Sequence, residues 1–219
     1  ALENLWDTEA LPWSGDWYRQ QVQNKLGDKA NDNFRLWYTD HANHGDLPVP
    51  GDPDYIVSYL GVLQQALLDL SAWVEKGIEP APTTNYTVVD GQVNVAPKAA
   101  ERGSIQPTVE VTVNGKKRAD IKAGDSVQLK AVIEIPAGQG KLVYAAWDFD
   151  ASGTYNDVVD LSKCKISKDG LHVEITKKQV FKKSGTHFPV LRIASQREGD
   201  AKTPYTLIKN LDRLRVVVK

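Results

Sequence analysis

Phe34-Arg35-Leu36-Trp37-Tyr38-Thr39-Asp40-His41-Ala42-Asn43-His44-Gly45 decides the reading of this chain. The apolar run at its start predicts a short strand, too dense in aromatic and aliphatic residues for an exposed edge. The strand empties into a polar loop that carries two histidines. Upstream, Ser14-Gly15-Asp16 can cap a helix with Tyr18, Val22 and Leu26 on one face, and Gly27 stops it. Downstream, Asp52 as N-cap and Pro53 in the first turn open a helix over residues 53–77. Ile56, Tyr59, Leu60, Leu63, Ala66, Leu67, Leu70, Trp73 and Val74 recur along it at three- and four-residue steps. Gly77, Pro80 and Pro82 end it. A stripe that wide is expected to be buried against a neighbouring layer.

A histidine on an exposed loop after a strand is placed to act as a general base. His44 is the candidate base and His41 its competitor. A base imidazole needs a carboxylate to hold its tautomer. Leu5-Trp6-Asp7-Thr8-Glu9-Ala10-Leu11-Pro12-Trp13 offers Asp7, with Glu9 and Asp40 as alternatives. The chain contains no G-x-S-x-G nucleophile elbow. Two blander readings compete: His44 bonded to Asp40 or Asp46 within a solvated turn, or Asp40, His41, His44 and Asp46 around an ion such as Zn²⁺. Trp13 and Trp17 near the acid, with His41, are the candidates for a substrate pocket. Trp37 and Trp73 sit at core positions of their elements.

This front part resembles the C-terminal region of α/β-hydrolases of the tannase and feruloyl esterase group. There the last strand leads into a loop reading roughly P-G-x-x-H, which puts the triad histidine on His44. Ala72-Trp73-Val74-Glu75-Lys76-Gly77-Ile78-Glu79-Pro80 is similar to that group's W-V-E-x-G-x-x-P, and Asp7 matches the position of its triad acid. His41 replaces the loop glycine, and Gly45 stands where a cysteine often follows the histidine. The resemblance covers residues 1–82 and implies a serine ester hydrolase whose nucleophile lies upstream.

Residues 83–105 read as a linker in which Asp90-Gly91 turns a hairpin between residues 86–89 and 92–95. From Gln106 the rhythm becomes period two: Val109, Val111 and Val113, then Val127, Leu129, Ala131, Ile133 and Ile135. Further short strands over 143–149, 172–175, 188–194 and 214–218 predict a two-sheet antiparallel sandwich. Ala123-Gly124-Asp125-Ser126-Val127, Trp147-Asp148-Phe149-Asp150 with Ser152-Gly153, and Gly185-Thr186-His187-Phe188 resemble the PKD (polycystic kidney disease) family of immunoglobulin-like domains. That resemblance covers residues 106–219 and implies an extracellular, non-catalytic spacer or binding module. Asp148, Asp150 and Ser152 also echo the first half of a Ca²⁺ loop, but position twelve is Val159 and not a bidentate acid. A structural turn is the expectation, and no cofactor is expected.

The bulk numbers exclude little. The 219 residues carry a net charge of −1. No apolar run is long enough for a membrane helix. Residues 161–219 hold 14 Lys and Arg against 5 Asp and Glu, yet no aromatic interleaving accompanies them, so no nucleic-acid partner is expected. One cysteine, Cys164, forms no internal disulfide. A start at Ala1, in mid-motif, suggests a processed product or fragment. The expectation is an α+β chain: a partial α/β-hydrolase segment of helices with one or two strands, then an all-β immunoglobulin-like sandwich. Its function would be the C-terminal part of a secreted or periplasmic serine hydrolase, with the upstream hydrolase segment as partner. A homo-oligomer through the face of helix 53–77 is the other partner expected. A non-catalytic extracellular binding or adhesion module is the alternative.

Overall fold

The computed structural model describes residues 1–46 and 54–219. The expected cap Asp52 and first-turn Pro53 lie outside the described residues. The front of the chain runs β1 (Leu2–Asn4), α1 (Trp13–Leu26), α2 (Ala30–Asn33), β2 (Trp37–Thr39), α3 (Leu60–Lys76), β3 (Tyr86–Val89), β4 (Gln92–Val95) and α4 (Ala99–Arg102). β1 and β2 pair in parallel, Leu2 opposite Trp37 and Asn4 opposite Thr39, with α1 and α2 as the crossover between them. β2 is wholly buried, as its composition demands. Its second edge is closed by side chains: the Leu36 and Tyr38 N–H groups donate to Thr83 Oγ1 (3.2 Å) and Thr84 Oγ1 (3.0 Å). Among the described residues no strand pairs with the second edge of β1.

The two main helices depart from the sequence expectation. α1 buries only Gly15, and Tyr18 and Leu26 of its expected inner face are exposed. α3 begins at Leu60, so Ile56 and Tyr59 lie outside it. Tertiary bonds hold residues 54–59 out of helical geometry. Asp46 accepts from Ser58 Oγ and the Tyr59 N–H (both 2.9 Å). The Val57 N–H donates to the His41 carbonyl (2.7 Å), while the Val57 side chain packs on Val190 and Leu211. The buried face of α3 is Gly61, Val62, Gln65 and Asp69 and not the leucine stripe. Leu67 and Leu70 are 59% and 52% exposed.

The rest of the chain is β-rich: β5 (Thr108–Val113), β6 (Arg118–Ile121), β7 (Ser126–Glu134), β8 (Lys141–Asp148), β9 (Asp157–Val158), β10 (Lys165–Ile166), β11 (His172–Val180), β12 (Gly185–His187), β13 (Val190–Gln196), β14 (Ile208–Arg213) and β15 (Arg215–Val218). Two four-stranded antiparallel sheets, β10-β11-β7-β5 and β14-β13-β8-β9, contribute to one core. The alternation of Val127, Leu129, Ala131 and Ile133 puts all four side chains into it, against Trp147, Leu191 and Ile193. A third sheet, β12-β15-β6, contains a parallel pair, β15 with β6, that the sequence pattern does not announce. β3 and β4 form the expected hairpin, with Asp90 and Gly91 at φ of 50° and 73°, the signature of a type I′ turn.

The front and the β-rich part meet over an extended contact. Trp37, Val62, Ile105 and Ile208 form a shared apolar cluster. Gly61 lies so close to the Leu207 carbonyl that a Cβ there would collide with it. Asp69 on α3 accepts a two-pronged bond from Arg197, whose Nη2 reaches Oδ2 at 2.9 Å, and Gln65 donates to the same carboxylate. Among the described residues no helix is long and apolar enough to cross a membrane.

Candidate active site

Asp7 follows the end of β1 and His44 follows the end of β2. Because the strands are parallel, both loops emerge at the same, carboxyl, end of the pair, where open α/β sheets gather their functional side chains. There His44 Nδ1 lies 2.9 Å from Asp7 Oδ2. The other carboxylate oxygen, Asp7 Oδ1, accepts the Glu9 and Ala10 N–H groups, each at 2.8 Å. The acid is 8% exposed and its orientation is fixed by the turn that follows it. The His44 side chain is half exposed.

The electrostatics favour the charged acid and the held base. Burial pushes the Asp7 carboxyl up, but the Ala10 and Glu9 N–H groups and His44 outweigh it and leave its pKa below the usual carboxylate value. The hydrogen bond and charge of Asp7 hold the His44 pKa above the ordinary imidazole value. A carboxylate without a proton only accepts, so neutral His44 carries its hydrogen on Nδ1. Nε2 is then a lone pair with no partner among the described residues. An imidazole in that state can take a proton from a hydroxyl.

The remaining candidates sort differently. Asp40 pairs with Arg102 (3.2 Å) and does not contact His44. Asp46 holds Ser58 and Tyr59, as above, and not His44. His41 turns away to β14, where its Nδ1 lies 3.0 Å from Asn210 Oδ1, and its ring packs against Trp6 at 5.0 Å. Asp40 and His41 contact each other, the Asp40 carboxylate accepting the His41 N–H (3.0 Å) and lying 3.4 Å from its Nδ1, while His44 and Asp46 each serve a different partner. Among the described residues no group of three or more His, Cys, Asp or Glu side chains is placed to hold a metal ion. Asp148 accepts the Asp150 and Gly153 N–H groups (3.2 and 2.7 Å) with Ser152 Oγ nearby, and it shares the Gly153 N–H with the buried carboxyl of Asp54 (3.1 Å).

A cleft of about 550 Å³ opens beside Asp7. Leu5, Trp6, Leu11 and Trp13 line one side and the tip of the β3–β4 hairpin, residues 90–93, lines the other. Trp13 lines this cleft, whereas Trp17 is exposed on α1 and is not part of its lining. The sequence reading missed Arg102 at the end of α4 and Gln106 and Asn210 beyond it, which hold the start of the histidine loop. An isolated Asn in a short strand has no local signature that marks it as a partner for a distant histidine. Comparison with known proteins adds no relative: no family model matches the chain, and no match was found among curated proteins.

Proposed function

We propose that this chain supplies the base and the acid of a serine-type ester hydrolase, with His44 as general base and Asp7 as its orienting carboxylate. One observation carries the reading: Nδ1 of an exposed imidazole, 2.9 Å from a buried carboxylate, at the carboxyl end of two parallel strands. His44 Nε2 takes the proton of a serine hydroxyl as that oxygen attacks an ester carbonyl. Asp7 stabilises the imidazolium that forms, and Nε2 then returns the proton to the leaving alkoxide. Water repeats the cycle and releases the acid.

The serine comes from another segment, because these residues hold no nucleophile elbow. The unpaired edge of β1 and the exposed Leu67 and Leu70 on α3 support a larger parallel sheet as the place it comes from. Parallel strands are otherwise covered on both faces and rarely occur as a pair. The cleft lined by Trp6 and Trp13 beside the acid suits an aromatic or similarly flat apolar group of an ester. Two antiparallel sheets around one core support reading residues 106–219 as an immunoglobulin-like, PKD-like module; a place outside the cytoplasm is proposed from that resemblance alone.

The test is hydrolysis of a p-nitrophenyl ester by the longest natural polypeptide that contains these residues. We expect His44→Gln and Asp7→Asn to lower kcat by roughly 10²–10⁴-fold with KM little changed. Undiminished turnover in His44→Gln overturns the assignment. No turnover by the wild-type polypeptide favours the binding module.

A further inference from the structure

The loop that carries His44 is held at its end by Asn4, Trp6 and Tyr59 of the front segment, and at its start, Asp40 and His41, by residues that lie beyond that segment. The Asp40 N–H donates to Gln106 Oε1 (2.8 Å), and Gln106 Nε2 donates back to the Asp40 carbonyl (3.0 Å) and on to the Lys209 carbonyl in β14 (2.9 Å). One residue further along, His41 meets Asn210. The orientation of the Asn210 amide is determined by its neighbours. Its Nδ2 donates to the Pro107 carbonyl and its Oδ1 accepts the Leu211 N–H, both at 2.8 Å. Oδ1 is therefore the atom facing His41, and His41 Nδ1 carries the hydrogen that it receives. Asn210 is buried and its amide is locked by these three bonds, so the atom it offers His41 is fixed in place.

His41 also has a left-handed backbone, φ 55°. A non-glycine residue holds that conformation only where its surroundings over-determine it. Here they do: Asn210 bonds the ring, Trp6 packs against it, and the Asp40 carboxylate accepts the His41 N–H (3.0 Å) and lies 3.4 Å from Nδ1. The Trp6 N–H donates to the Ala42 carbonyl (3.1 Å), and Asp7 is the next residue after Trp6. The left-handed turn at His41 thus sets the path of the chain that brings His44 back to Asp7.

We infer that Asn210 is a positioning residue for the base: through His41 it fixes the loop that presents His44 to Asp7, so that the β-rich part is a component of the site and not a spacer beside it. This deepens the hydrolase reading and rests on it for the meaning of the His44–Asp7 pair. His41 is then a brace, which accounts for its failure to compete for the acid.

The test needs no turnover. The full 219-residue chain, labelled with ¹⁵N-histidine, is titrated by NMR and the His44 ring followed. Asp7→Asn defines the position of an unassisted His44. Asn210→Leu and His41→Phe are each expected to move the His44 titration from its raised wild-type position toward that value, and the double variant to move it no further than the larger single. Asn210→Leu removes no ionisable group, so a shift shared with His41→Phe is not a simple charge effect. Asp7 and Glu9, the acids that act on His44, are retained in both variants. If Asn210→Leu does not fold, His41→Phe alone decides. A purely structural Asn210 lowers Tm and leaves the His44 titration at the wild-type position, and that result overturns the inference. So does a double variant that shifts by the sum of the singles. Failure of the hydrolase reading shows separately, as a persistent NMR coupling in a protein that hydrolyses no ester.

Discussion

The front of this chain and its β-rich remainder solve burial differently. The β-rich part closes around Trp147, Leu129, Ile133, Leu191 and Ile193, all buried, with side chains supplied from both four-stranded sheets. Among the described residues the front leaves one edge of β1 without a partner strand and Leu67, Leu70, Val74 and Trp17 exposed. A patch of that kind marks a surface made to be covered. The comparison teaches that hydrophobic periodicity identifies a face that wants burial without saying that this chain buries it. On the proposed reading the front is one margin of a larger layer, and the β-rich part, which closes around its own core, braces the loop that carries His44.

The largest effect should come from the closed core. Trp147→Ala removes a fully buried ring, and we expect a loss of about 3–5 kcal/mol by chemical denaturation. A loss below about 1 kcal/mol would mean that this core is not the source of stability. Next comes the seam between the two regions. Gly61→Val places side-chain atoms into the Leu207 carbonyl and should unseat α3 from β14, at roughly 1–3 kcal/mol. Wild-type stability in that variant would break the claim that α3 is fixed through this face. The exposed stripe should behave in the opposite way. Leu67→Ser with Leu70→Ser should change stability by no more than about 0.5 kcal/mol per site. Sedimentation should show less self-association. A collapse in Tm would show that the leucines are already covered.

The smallest effect is the pH dependence of the dyad. The raised His44 pKa contributes stability below its unfolded value of 6.5, lost as pH rises through the folded value. The lowered Asp7 pKa contributes above 3.8, lost as pH falls through the folded value. The Tm difference between wild type and His44→Gln should therefore be largest between about pH 4 and 6.5 and shrink on both sides. A difference that does not vary with pH would show that His44 and Asp7 do not interact as charges.

Much of this fold was legible because local chemistry and tertiary structure agree. Alternation in residues 127–135, the Asp90-Gly91 turn and the apolar run before Asp40 each gave the element found. The pairing of His44 with Asp7 was legible only through the resemblance to the hydrolase group; the strand Leu2–Asn4, whose parallel pairing with Trp37–Thr39 brings the two loops together, was not read from the sequence. Three further features were not legible. The buried face of α3 carries Gln65 and Asp69, and the Arg197 that satisfies Asp69 lies 128 residues away in sequence. The stretch 54–59 looked helical because nothing local shows that Asp46 and His41 would take its N–H groups. β14 was missed because Asn210 interrupts its apolar pattern, and that interruption is what holds His41.

The most direct measurement is the tautomer of His44 in the 219-residue chain, read from long-range ¹H–¹⁵N couplings above the pH at which the ring loses its charge. An acid-oriented base predicts hydrogen on Nδ1 with a bare Nε2, and loss of that preference in Asp7→Asn. A His44 with its hydrogen on Nε2, or a tautomer mixture unaltered by Asp7→Asn, would contradict the account.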